Sequence, residues 1–217
     1  MIEERAYSNG FIAPSFYEAS LSTPTGSEAL LIEVRRDARE GMKVYTEVKE
    51  QPVVARSILT LVLNLPGCES LTIDHHVRVT LRGSISGAIL QEKFTRSRDN
   101  PETVEITLSI VLEGRRFESD PEETLTDALK SLENSMNGVE WGLRTCYDCR
   151  HSLHAFPWPV SDRDDLRCFR DDPNTSKRAS TIGVQAGTSS FAGHYFVDAF
   201  HMCAAWRARE VPSSENP

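Results

Sequence analysis

Val104, Ile106, Leu108, Ile110 and Leu112 fall on one parity, and a period of two predicts an extended strand with one buried face. The same alternation recurs upstream. Leu30, Ile32 and Val34 share one face, as do Val44, Thr46 and Val48. Leu71, Ile73, Val77, Val79 and Leu81 occupy one parity, with Asp74, His76, Arg78 and Arg82 on the other. Gly83 and Gly87 bracket a bend before a strand from Ala88 to Phe94. Arg98-Asp99-Asn100-Pro101 marks a turn, and a short strand follows Gly114 near Phe117. The nearly unbroken aliphatic run from Ser57 to Leu65 predicts a strand buried on both faces. Strands in series without intervening helices predict an α+β protein built on an antiparallel β-rich sandwich or curved sheet.

One helix is marked beyond them. Asp120 is placed to cap it, Pro121 suits its first position, and Glu122 and Glu123 favour its positive end. Leu125, Ala128, Leu129 and Leu132 repeat at helical spacing, and Asn137-Gly138 ends the run. The predicted organisation is a β-rich domain over 1–119, a connecting helix over 120–137, a cysteine module over 138–210 and a disordered tail over 211–217. Within the module, Val139 to Thr145 is strand-like, Asp171 to Ser190 reads as a mobile loop, and Tyr195 to Met202 resumes strand character. Ala204 to Glu210 reads as a short helix.

Chemistry concentrates in that module. Cys146 and Cys149 form a Cys-x-x-Cys pair, followed by Cys168 and Cys203. Four thiolates in a chain without a visible export signal predict a closed tetrahedral Zn²⁺ site of structural type. Three rival readings share these residues. A redox Cys-x-x-Cys needs a following helix, and Arg150 to His154 gives no helix-start signal. An open catalytic zinc would recruit His151, His154, His194 or His201. An iron–sulfur cluster would use the same four thiolates. The fifth cysteine, Cys68, follows Pro66-Gly67 and has no evident basic neighbour, so it reads as a passive residue at a turn. Asp74-His75-His76 reads as structural, because consecutive histidines on a strand face opposite sides.

The stretches Arg144 to Ser152, Leu166 to Asp171 and Phe200 to Arg209 resemble an uncharacterised bacterial domain-of-unknown-function family. Its pattern is a strand-rich first part, a helix, a Cys-x-x-Cys, a Cys-Phe-Arg-like station and a last cysteine before an aromatic and a basic residue. The likeness spans roughly residues 57–210 and implies four matched cysteines, with no activity to transfer. Leu153 to Pro157 departs from the family's Asp-Tyr-Ser-Pro run, and Ala204-Ala205 from its Pro-Glu.

A net charge of −8, nearly all carried before residue 136, repels phosphate backbones and anionic membranes. Arg163, Arg167, Arg170, Lys177 and Arg178 are interleaved with acids, so they form no basic stripe. No Walker loop, Gly-x-Gly-x-x-Gly or His-Glu-x-x-His occurs, and no apolar run is long enough to span a bilayer. The expectation is a non-enzymatic cytoplasmic interaction protein with a structural zinc. Its partner is a protein, basic if charge decides, and neither nucleic acid nor membrane is expected. The competing functions are a metal-dependent enzyme with a mixed Cys/His site, a redox protein and a zinc-ribbon-like nucleic-acid reader.

Overall fold

A computed structural model describes residues 15–37, 41–97, 100–147, 149, 152–154, 166–168, 195–196 and 200. The chain divides into two compact units. The first comprises Met1–His76 and Ala88–Gly138; the second comprises Val77–Gly87 and Val139–Pro217.

Eight antiparallel strands form the main sheet: β1 (Ser15–Thr23), β2 (Gly26–Asp37), β3 (Gly41–Val48), β4 (Gln51–Ala55), β5 (Ser70–Leu81), β6 (Ser84–Arg96), β7 (Val104–Leu112) and β8 (Arg115–Glu118); the stretch Val77–Gly87, the end of β5 and the start of β6, belongs to the second unit. Their order across the sheet is β4-β3-β2-β1-β5-β6-β7-β8. The antiparallel, strand-rich architecture expected from the alternation is present. Leu30, Ile32, Val34, Val44, Thr46, Leu71, Ile73, Leu108 and Ile110 are all buried, as their parity requires.

Three hairpins close through two-residue turns with both central residues at positive φ: Lys49-Glu50, Arg82-Gly83 and Glu113-Gly114. Such turns match the right-handed twist of the flanking strands. The Arg82-Gly83 turn corrects the expected bend bracketed by Gly83 and Gly87. The chain reverses at once, and Gly87 lies inside β6.

The aliphatic run after Ser57 is helical, which overturns the expected buried strand. It forms α1 (Ile58–Asn64), capped by Ser57, whose Oγ accepts a hydrogen bond from the Thr60 N–H at 3.1 Å. Ile58, Leu61, Val62 and Leu65 are buried, so the core reads this run at helical spacing although only Thr60 and Asn64 within it are polar. At the other end, one Arg96 guanidinium nitrogen (Nη2) donates to the Val62, Leu63 and Leu65 carbonyls at 3.1, 2.8 and 3.2 Å. These bonds satisfy carbonyls that a helix end leaves without partners. Among the described residues two helices pack on the sheet, where the expectation for residues 1–137 held one.

The second helix, α2 (Leu125–Ser135), starts later than expected. Ile106 and Glu122 exchange backbone hydrogen bonds at 2.6 and 3.0 Å, so residues before Thr124 continue along β7 instead of coiling. Thr124 caps in place of Asp120: its Oγ1 accepts from the Asp127 N–H at 3.1 Å and donates to Asp127 Oδ2 at 2.8 Å. The predicted stripe of Leu125, Ala128, Leu129 and Leu132 is buried against β7 and β8. Gly138, at φ +84°, follows the helix end as expected. Helix α1 contacts β4 and β7, and α2 contacts β7 and β8, so both helices pack on this sheet.

The cap carries a prediction. Thr124→Ala is expected to cost about 1 kcal/mol in urea unfolding. The Thr124 hydroxyl, and secondarily Lys130, hold the Asp127 carboxyl below its ordinary range. That contribution is present above the unfolded carboxylate value and fades as pH falls through the lowered folded value. The gap between wild type and variant should accordingly narrow in acid.

In the second unit, β9 (Trp141–Leu143) pairs with β5 from Val79 to Leu81. A separate three-stranded sheet has the order β10-β11-β12, from β10 (Ser152–His154), β11 (Leu166–Cys168) and β12 (Tyr195–Phe196). The strand expected from Val139 to Thr145 is thus present in its centre. The predicted loop over 171–190, the helix over 204–210 and the tail over 211–217 lie outside the described residues, as do most residues of the strand expected over 195–202.

Candidate metal centre and a buried polar pair

The Cys-x-x-Cys pair is delivered by β9. Arg82 N–H donates to the Glu140 carbonyl at 2.9 Å and Arg144 N–H to the Arg78 carbonyl at 2.8 Å, which fixes both ends of that short strand. Three residues later the chain turns on itself, with Cys149 N–H donating to the Cys146 carbonyl at 3.3 Å. Both cysteines are buried, at 2% and 3% exposure. Thr145, immediately before the turn, is fully buried too.

Cys168 occupies the central strand of the small sheet, across from Ser152 on one side and Tyr195 on the other. Ser152 lies three residues beyond Cys149. An extended chain covers at most about 3.6 Å per residue, and strands pair about 5 Å apart, so the Cα of Cys168 lies within about 16 Å of that of Cys149. Among the described residues, no group of three or more His, Cys, Asp or Glu is placed to hold a metal ion, so the predicted four-thiolate set stays an expectation. Cys203, His151, His194 and His201 lie outside the described residues, and His154 is placed only by its position at the end of β10.

Cys68 sits where expected, after the Pro66-Gly67 turn, and it is buried. Burial pushes its thiol above the ordinary range, against a smaller opposing pull from Arg96. A raised thiol presents little thiolate at neutral pH, which fits a passive packing residue.

A second polar group lies in the core of the first unit. His75 Nε2 and Glu92 Oε2 are 2.9 Å apart, with exposures of 5% and 0%. Tyr17 meets the His75 ring edge-on, with centroids 5.9 Å apart. As expected for consecutive strand residues, His76 is exposed while His75 is buried. The partner was not foreseen. Glu92 shares its parity with Leu90 and Phe94, and a carboxylate on an apolar parity was the available signal. Their pairing across 17 residues depends on the β5–β6 hairpin, whose turn had been placed elsewhere. With so little exposure the pair lies inside the unit, where it links β5 to β6.

No family model, curated protein or solved structure matches this chain. The resemblance of its cysteine stretches to a domain-of-unknown-function family thus rests on those stretches alone. Among the described residues, no helix is long and apolar enough to cross a membrane.

Proposed function

We propose that this chain is a non-enzymatic protein-interaction module of a reducing compartment, the cytoplasm, whose second unit is tied together by Zn²⁺ on Cys146, Cys149, Cys168 and Cys203. The observation that carries the reading is the burial of Cys146 and Cys149 in one tight turn. A redox or nucleophilic cysteine needs an accessible thiolate, whereas a closed structural site shields its sulfurs. Donor chemistry agrees, because four thiolates suit a borderline-soft ion and leave no coordination position for substrate. The partner class is a protein with a basic surface, favoured by the net charge of −8.

Elemental analysis of protein purified without added metal tests the reading. About one zinc per chain is expected, lost in Cys146→Ser and in Cys203→Ser. Loss of the ion should also abolish cooperative unfolding of the second unit, since structural zinc contributes about 10–16 kcal/mol of apparent binding free energy. Metal retained in Cys203→Ser but lost in His151→Ala or His194→Ala would favour the mixed-ligand enzyme. Absence of metal with a Cys146–Cys149 disulfide would favour redox chemistry.

A further inference from the structure

Where the β1–β2 and β3–β4 hairpins end beside the exit of α1, a half-open cavity of about 250 Å³ lies wholly within the first unit. Leu21, Val48, Val53 and Pro66 make its apolar wall. Register explains how polar groups reach the same space. Glu28 stands opposite the fully buried Leu21, and Gln51 opposite the buried Val48, so both belong to the core-bearing face of the sheet. Glu28 continues the parity of Leu30, Ile32 and Val34, where alternation calls for an apolar residue. Lys49 completes the set from the turn between β3 and β4.

The hydroxyls on the rim are already used. Thr23 Oγ1 donates to the Gly26 carbonyl at 3.0 Å and accepts from the Thr25 N–H at 3.3 Å, which fixes the β1–β2 turn. Ser27 Oγ lies 2.7 Å from Ser20 Oγ. Glu28, Lys49 and Gln51 differ. Among the described residues, none of their side chains has a hydrogen-bond or ion-pair partner. Lys49 is also held at a conformational cost. Its φ is +50°, in the left-handed region, where a two-residue hairpin turn favours asparagine or glycine. A lysine kept there against backbone preference points to a use for its ammonium.

Size and charge select what fits. Pockets for drug-sized ligands hold about 300–1,000 Å³, so this one suits a molecule the size of a single amino acid and excludes a nucleotide. One cation and one anion without partners match a zwitterion. A chain of net charge −8 repels free anions, whereas a molecule without net charge is indifferent to that field. Among the described residues the wall carries no aromatic ring, which suits an aliphatic side chain.

We infer that this cavity binds a free aliphatic α-amino acid, with its carboxylate at Lys49, its ammonium at Glu28 and its side chain on the apolar wall. The site draws on no residue of the second unit, so it holds whether or not the cysteines bind zinc. Calorimetric titration of the full chain with L-valine, L-leucine and L-methionine tests it. At least one should bind saturably with a Kd below about 1 mM. The corresponding deaminated acid and the corresponding amide, each lacking one charge, should bind roughly tenfold more weakly. Glu28→Gln and Lys49→Asn should each cost a similar factor, roughly tenfold or more. Lys49→Asn should melt at or above the wild-type temperature, because asparagine suits the turn, so its lost binding is not lost folding. Glu50→Asn, in the same turn but off the cavity, should bind as wild type does. No saturable binding of the three amino acids overturns the inference. Equal affinity for the deaminated acid, or unchanged affinity in both Glu28→Gln and Lys49→Asn, overturns it too.

Discussion

Glu92→Ala is expected to destabilise the first unit by about 3–5 kcal/mol, read as a lowered urea midpoint at unchanged slope. Glu92 is fully buried, and its Oε2 is held 2.9 Å from the Nε2 of an almost fully buried histidine. Removing the carboxylate takes a 2.9 Å partner from the buried imidazole and leaves a cavity between β5 and β6. Each of those costs free energy by itself. Replacing both groups tells a different story. His75→Leu with Glu92→Met keeps the volume and removes both desolvation penalties, so the double variant should recover much of the loss. The resulting double-mutant cycle isolates the coupling between the two side chains. A Glu92→Ala variant within 1 kcal/mol of wild type would mean that water or another group substitutes for the carboxylate, and the structural link would fail.

The second large effect is expected at Arg96. Its Nη2 alone serves three carbonyls at the end of α1, and a charged donor contributes about 1.5–3 kcal/mol per effective bond. Three bonds shared by one nitrogen do not add, so Arg96→Ala should cost about 3 kcal/mol. Arg96→Lys keeps the charge but lacks the planar fork, and should recover only part of it. The loss has a local reporter. Cys68 lies one turn beyond α1, buried and with its thiol pushed up by that burial. In wild type it should react slowly with iodoacetamide at neutral pH, faster only as pH approaches its raised value. Fraying of α1 in Arg96→Ala should expose it and accelerate labelling severalfold, well before global unfolding. Equal labelling rates in the two proteins would argue that the arginine does not secure this helix end.

Alternation made the sheet readable before any coordinates. Where one side of a strand is wet, as in β5 and β7, the sequence must spell out its period, and inward residues were assigned correctly at nearly every step. The run after Ser57 defeated that logic because apolar residues, broken only by Thr60 and Asn64, fall on every side, so period carries little information there. Its punctuation was informative: a serine cap before it and Pro66-Gly67 after it mark a helix more naturally than a buried strand. The start of α2 was displaced for another reason. Asp120-Pro121 satisfies the local rules for a helix start, but backbone bonds from Ile106 claim Glu122 first, and no local signal reports a distant strand. The four cysteines stand out by identity and spacing, and the structure places Cys146 just after β9 and Cys168 in β11. The His75–Glu92 link was hidden because it depends on hairpin register, which a single displaced turn changes.

The segment held in α1 has one further consequence. Ile58 to Leu65 carries no charge and no proline, and it is rich in residues that pair readily as strands. In the folded chain, Ser57 and Arg96 tie down its two ends and the sheet covers its apolar side. Released, the same eight residues form the strongest self-associating stretch in the first unit. Turbidity during slow heating should therefore begin earlier in Arg96→Ala than its loss of global stability alone accounts for. The guanidinium that completes a short helix would also act as the gatekeeper against aggregation.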